Sequence, residues 1–182
     1  MPIIRLARPA DLPLLHPVIE RAYRGDTARQ GWTFESDLLD GQRTDIAALS
    51  AILASPVDRL LVAERDGALI GCVQVTDKGA PEHGDGGTHS AYLGLLCVDP
   101  SLQAAGLGRA LLAAAEALAV QAFGAERIEM TVIDQRAELI AYYEQRGYVR
   151  TGESRPFPLD VTPPLRMAVL ARPLPRPHAA TP

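Results

Sequence analysis

Apolar positions along this chain change period several times, and each change marks an element. Ile3 to Leu6 reads as a short first strand, and Leu15, Val18, Ile19 and Ala22 then recur at the spacing of an amphipathic helix over Ala10 to Tyr23. Pro13 fits the first turn of that helix, whereas Pro17 implies a kink or a later start. Arg24 to Asp45 is irregular and polar and holds Trp32, the single Trp; a segment of this length inside a compact domain often carries function. Ile46, Leu49, Ile52 and Leu53 mark a second helix, capped by Thr44 or Asp45 and ended at Ser55-Pro56. Leu60 to Glu64 and Ala68 to Val75 are strand-like runs around Asp66-Gly67, a strong hairpin signal.

Asp77 to Ser90 is rich in Gly and polar residues and reads as a mobile loop. It leads into a long apolar strand, Tyr92 to Val98, followed by an Asp99-Pro100 turn and Gln103-Ala-Ala-Gly106-Leu-Gly108, which runs straight into a helix. That helix places Leu111, Leu112, Ala115, Leu118, Ala119 and Ala122 on one face, and Gly124 stops it. Ile128 to Ile133 is another strand, and Ala137 to Arg146 a short helix closed by Gly147, with Asp134 the expected cap. Tyr148 to Glu153 and Arg166 to Leu170 supply the last strands, on either side of a Pro-rich loop at Pro156 to Pro164. The order predicts an α/β fold, α+β mixed, with a mostly antiparallel central sheet and helices on both faces. One domain over residues 1–172 is expected, with 173–182 a disordered tail.

Composition narrows the possibilities. A chain of 182 residues with a hydrophobic fraction of 47% has room for one proper core, and disorder as the main state is excluded. A net charge of −4 without a Lys/Arg run gives no attraction to nucleic acid or to an anionic membrane, so neither is an expected partner. No signal peptide or membrane span is legible, which makes a cytoplasmic location the expectation. Cys72 and Cys97 lie in apolar strands and read as small buried hydrophobes. His83, Asp85 and His89 lack a recognised ligand spacing, so no metal is expected.

The chemistry centres on the glycine turn. An apolar strand, a tight turn and glycines opening a helix form an anion cradle, because the backbone can approach a ligand and the first N–H groups of the helix favour phosphate. The turn is neither a Walker loop nor a dinucleotide fingerprint. By itself Gln-x-x-Gly-x-Gly is also compatible with a bland connection. Its context is more specific. Leu96-Cys-Val-Asp-Pro, then Gln103-x-x-Gly106-x-Gly108, then Tyr142-Tyr-Glu-Gln-Arg-Gly-Tyr148, with Ile3-Arg-Leu-Ala-Arg-Pro-Ala-Asp-Leu-Pro at the start, together resemble the GNAT superfamily of acetyl-CoA-dependent N-acetyltransferases. The likeness covers residues 3 to about 172 and implies a sheet of six to seven strands.

The resemblance implies that Leu96, Cys97 and Val98 pair through their backbone with the pantetheine arm of acetyl-CoA. It makes Gln103, Ala104, Ala105, Gly106, Leu107, Gly108 and Arg109 the pyrophosphate loop. Relatives often carry basic or polar residues where this chain has Ala104 and Ala105, which leaves main-chain donors, with Gln103 and Arg109, as the expected grip. Arg136 stands where many relatives have a cofactor-contacting Asn; it either approaches a phosphate or is a solvated first-turn residue. Tyr143 aligns with the family's general acid, which would assist the departing thiolate; its alternative is packing alone.

An alkylammonium of pKa about 10.4 is no nucleophile, so a general base is also needed. The Glu that some relatives use is replaced here by Thr131, which leaves Glu129 and Glu35 as tentative bases, with Asp37 and Asp45 as further acids that read singly as solvated or capping. Trp32 and Phe34 could wall an acceptor pocket or fill the core. The expected activity is direct acetyl transfer in a ternary complex to a primary amine of a small molecule or peptide. A non-catalytic acyl-CoA-binding sensor is the alternative, and a homodimer stays open.

Overall fold

A computed structural model describes residues 2–24, 42–80, 88–102 and 106–175. Strand β1 is Ile3–Leu6, and a 3-10 turn at Pro9–Asp11 leads into α1, Leu12–Tyr23. Helix α2 is Ile46–Ala54, β2 Asp58–Arg65, β3 Ala68–Gly79 and β4 Ser90–Val98. After a second 3-10 turn at Pro100–Leu102 come α3, Leu107–Phe123, β5, Arg127–Ile133, α4, Ala137–Glu144, β6, Val149–Pro156, and β7, Arg166–Pro173. The seven strands stand in the order β1-β2-β3-β4-β5-β7-β6. The β1–β2, β2–β3, β5–β7 and β6–β7 pairs are antiparallel, and β4 meets β5 in a short parallel ladder of Ser90–Tyr92 against Arg127–Glu129. The expected mixed α/β fold with a mostly antiparallel sheet is therefore the observed one. No described helix is long and apolar enough to cross a membrane.

The chain groups into two compact units, residues 1–76 with 94–115 and residues 77–93 with 116–182. The core of the first is built from the periodic positions of its helices. Leu12, Leu15, Ile19, Ala22 and Tyr23 of α1 pack with Leu49 of α2, Leu60 and Val62 of β2, Leu69 and Cys72 of β3, and Leu95 and Cys97 of β4. Helix α1 starts at Leu12, two positions after the apolar period begins, because Pro9 to Asp11 forms the tighter turn first. Pro17 is carried inside the helix. The bond it cannot donate would go to Pro13, which is solvent-exposed, so the freed carbonyl can be hydrated. Asp45, not Thr44, caps α2, accepting the Ala48 N–H at 2.7 Å. The β2–β3 hairpin turns on Asp66 and Gly67 with φ of 52° and 79°, the left-handed pair that a two-residue turn requires.

Arg5 ties β1 to the start of α1. Its guanidinium donates to both Asp11 oxygens at 2.7 and 2.9 Å and to Glu64 at 2.8 and 3.0 Å, while Asp11 also accepts the Arg8 N–H at 2.7 Å. The Arg5 bonds hold the Asp11 carboxyl below its ordinary range despite its burial. A carboxylate whose folded pKa is depressed contributes stability above its unfolded pKa of about 3.9 and loses that contribution as pH falls through the folded value. Asp11→Asn is accordingly expected to cost about 1–2 kcal/mol at pH 7. It should also flatten the decline in urea midpoint between pH 5 and 3; an unchanged pH dependence would remove Asp11 from the acid sensitivity.

In the second unit, β5 pairs with β7 along its whole length, from Arg127↔Pro173 to Ile133↔Met167. β7 outlasts the expected 166–170 run, and beyond it the Leu174 N–H reaches the Glu126 carbonyl at 2.7 Å, with its side chain buried. The tail expected over 173–182 is thus ordered at its start, with Pro173 in β7 and Leu174 buried, and its remainder, 176–182, lies outside the described residues. On α3 the buried positions are Leu107, Leu111, Leu112, Ala115 and Ala119, while Ala122, expected on the apolar face, is exposed. The expected loop from Asp77 begins later, because Asp77 to Gly79 still belong to β3.

Candidate functional site

The end of β4 that belongs to the first unit, from Gly94, is deformed. β4 alternates in burial from Ser90 to Gly94 and then turns continuously inward from Leu95 to Val98. The break coincides with Leu95, a non-glycine residue at φ 48°. Such a conformation costs on the order of 1–3 kcal/mol and persists only where its surroundings over-determine it, as happens at functional sites. The surroundings here are specific. The Tyr23 hydroxyl donates to the Leu96 carbonyl at 2.8 Å, and the Cys72 thiol to the Leu95 carbonyl at 3.4 Å. Cys97 lies with its sulfur 3.5 Å from that of Cys72, and both are fully buried, as expected of small core residues. The hydrogen bond with Cys97, together with burial, pushes the Cys72 thiol well up, so it stays protonated.

Gly71 on β3 is what allows this strand to lie so close. A Cβ there would stand 2.6 Å from the Cys97 carbonyl oxygen, 3.2 Å from a Leu111 methyl and 3.4 Å from the Val98 Cα. A glycine inside a strand pattern is the legible sign of close backbone approach, but reading Gly71 that way requires knowing what lies opposite.

Asp99 holds the turn that follows. Its N–H donates to the Ile70 carbonyl at 2.9 Å, and its carboxylate accepts the Ser101 N–H and hydroxyl at 3.1 and 2.7 Å and the Arg21 guanidinium at 2.7 Å. Burial works to raise its pKa, but the bonds from Arg21 and Ser101 outweigh it and keep the carboxyl below its ordinary range. Gly106 sits at φ 78°, a conformation that favours glycine, and opens α3 with its carbonyl accepting the Ala110 N–H at 3.0 Å. Leu107 is buried and anchors the first turn, Gly108 is half-buried and Arg109 is exposed. Gln103, Ala104 and Ala105 lie outside the described residues.

The second unit places Tyr143 on α4, only 5% exposed. Its ring meets Tyr142 edge-on at 5.3 Å and Tyr148 at 5.9 Å. Tyr148 is fixed in turn, since its hydroxyl donates to Glu116 at 2.9 Å and Arg172 grips the same carboxylate at 2.9 and 3.0 Å. Gly147 at φ 86° ends α4 as expected, and the Arg146 and Tyr148 N–H groups return to the Tyr143 carbonyl at 2.9 and 3.2 Å. Burial is the main reason the Tyr143 phenol is pushed well above its ordinary range, with Arg136 and Arg146 pulling the other way. It is a proton-bearing group across the whole neutral range.

The structure corrects the expected cap of α4. Arg136 occupies that position, without a side-chain cap bond, and its carbonyl accepts the Ile140 N–H at 3.0 Å; Asp134 instead donates its N–H to the Arg166 carbonyl at 3.0 Å. Arg136 is half-buried, and its positive charge works against the rise of the Tyr143 phenol. The Glu129 carboxylate is engaged by Arg155 at 3.1 Å, with Arg127 at 3.7 Å. Thr131 shares a 2.6 Å hydrogen bond with the Tyr92 hydroxyl. Glu35, Asp37, Trp32 and Phe34 lie outside the described residues, as do His83 and Asp85, while His89 pairs with Asp77 at 2.7 Å. No cluster of side chains suited to a metal occurs among the described residues.

These features meet known proteins at one point. Residues 23–148 match the Acetyltransferase (GNAT) family, and the chain belongs to that family. Solved structures agree on the fold. smu.2055 from Streptococcus mutans is similar at 12% identity and a TM-score of 0.72, over 95% of this chain and 99% of that one. yncA from Salmonella typhimurium, solved with its cofactor acetyl-CoA, is similar at 20% identity and a TM-score of 0.67, over 100% and 98% of the two chains. The ribosomal-protein-S18-alanine N-acetyltransferase from Escherichia coli is similar at 18% identity and a TM-score of 0.68, over 100% and 99%. No curated protein matches the chain in sequence.

Proposed function

We propose that this protein is an N-acetyltransferase that moves an acetyl group from acetyl-CoA to a primary amine of a small molecule or peptide, by direct transfer in a ternary complex. The observation that carries the reading is the left-handed kink at Leu95, with buried donors on the Leu95 and Leu96 carbonyls, in a strand that leads through the Asp99 turn to the Gly106 opening of α3. In a GNAT chain, that arrangement suits backbone N–H donors along Leu96 to Val98 for the pantetheine arm and the thioester carbonyl. The Gly106 opening and the start of α3 suit the pyrophosphate, with Gln103 to Arg109 the segment expected to bind it.

The amine enters as its free base and forms the C–N bond at the carbonyl carbon; the C–S bond breaks and its electron pair goes to sulfur. Tyr143 is the proposed donor to that sulfur. A phenol held above its ordinary range lies well above a thiol of about 8.5, so it stabilises the thiolate by a hydrogen bond better than by complete proton transfer. The proton lost by nitrogen goes to solvent, and the released thiolate takes one proton from solvent, so the step balances. Glu129 is not assigned the role of base, because Arg155 already occupies its carboxylate. Cys97 is not assigned a covalent role either, since it is fully buried beside Cys72.

Coenzyme A release, measured with a panel of free amino acids, polyamines and peptide N-termini, tests the reading. Turnover with at least one class of amine is expected. Tight acetyl-CoA binding with no turnover for any amine would replace it with the acyl-CoA sensor.

A further inference from the structure

Two buried side chains lie directly against the strained segment of β4, and neither belongs to the motifs of the chain. Tyr23, at the end of α1, donates to the Leu96 carbonyl at 2.8 Å, and Cys72, on β3, donates to the Leu95 carbonyl at 3.4 Å. Cys97 completes a chain of donors by placing its sulfur 3.5 Å from Cys72. A trans peptide puts its C=O and N–H on opposite edges. Fixing the Leu95 oxygen therefore fixes the direction of the Leu96 N–H, and fixing the Leu96 oxygen fixes that of the Cys97 N–H.

We infer that Tyr23 and Cys72 are positioning residues that clamp the carbonyls on either side of Leu96 and so aim the Leu96 amide at the acetyl-CoA thioester carbonyl. The inference rests on the acetyltransferase reading above. Regular strand geometry would not place Leu95 at φ 48°, and nothing in its own side chain favours that conformation. The clamp supplies the missing cause. Both donors are buried, so water does not compete for either carbonyl. Tyr23 is also held from its other side, with the Arg43 guanidinium 4.9 Å above its ring. An oxyanion donor acts through its direction, so loosening the clamp should lower the rate of the chemical step more than the affinity for the cofactor.

The test uses the full chain with Tyr23→Phe, Cys72→Ala and Cys72→Ser, each read by steady-state kinetics, coenzyme A affinity and the amide shifts of Leu96 and Cys97 in the free protein. Tyr23→Phe and Cys72→Ala are expected to lower kcat about tenfold, with coenzyme A affinity within about threefold, and to move both amide shifts. Cys72→Ser keeps a donor and should recover most of the rate. Wild-type rates in Tyr23→Phe and Cys72→Ala, a loss confined to affinity, or no recovery in Cys72→Ser would each overturn the clamp while leaving the acetyltransferase reading in place. Absence of turnover by the unsubstituted protein with every amine would remove that reading, and this role with it.

Discussion

Tyr143→Phe is expected to lower kcat about 100-fold while leaving acetyl-CoA affinity within about threefold. The substitution removes only the hydroxyl, so the edge contacts with Tyr142 and Tyr148 survive and the fold should be retained. The pH dependence adds a second reading of the same residue. Burial keeps Tyr143 protonated, so no fall in rate from its ionisation is expected up to about pH 10. The rate should instead rise with pH as the acceptor ammonium, of pKa about 10.4, gives up its proton, and with the same slope in Tyr143→Phe. Stopped-flow measurement of coenzyme A release from pH 6.5 to 9.5 would show both effects. Normal turnover in the variant would take Tyr143 out of the mechanism.

A comparable loss from a single methyl group is expected on the other unit. Gly71→Ala would place a Cβ 2.6 Å from the Cys97 carbonyl oxygen, which is backbone and cannot rotate away. The Leu111 methyl at 3.2 Å closes a second direction. The peptide between Cys97 and Val98 must therefore shift, and it lies in the strand proposed to pair with the pantetheine arm. Overpacking of this kind costs about 1–3 kcal/mol. We expect a lower urea midpoint together with coenzyme A affinity weakened at least tenfold by calorimetry. A Gly71→Ala protein with the original midpoint and affinity would show that the strand tolerates displacement there.

The two substitutions divide the proposed machinery: one removes a proton-bearing group and spares cofactor binding, the other moves main chain and should not. Glu116, Tyr148 and Arg172 belong with the first, because they hold the ring against which Tyr143 packs. Arg21 and Asp99 belong with the second, since they fix the turn between β4 and α3.

Local chemistry was enough for the elements and for some of their ends. The apolar stripe of α1, the Asp66-Gly67 turn and the glycines at 124 and 147 each act within a few residues of chain and were legible by spacing alone, while the α2 cap was legible as Thr44 or Asp45 and settled as Asp45. Tyr143 and the glycine turn were legible for a different reason, through their place in a family pattern. What the tertiary structure alone decided are contacts between residues far apart in sequence. Tyr23 meets Leu96 across 73 positions, Cys72 meets Cys97 across 25, and Glu129 is taken by Arg155 across 26. No periodicity records such pairs, because period reports only which face of an element a residue occupies. Leu95 is the clearest case: its own side chain disfavours φ 48°, so the conformation is imposed by partners that the chain brings together only on folding.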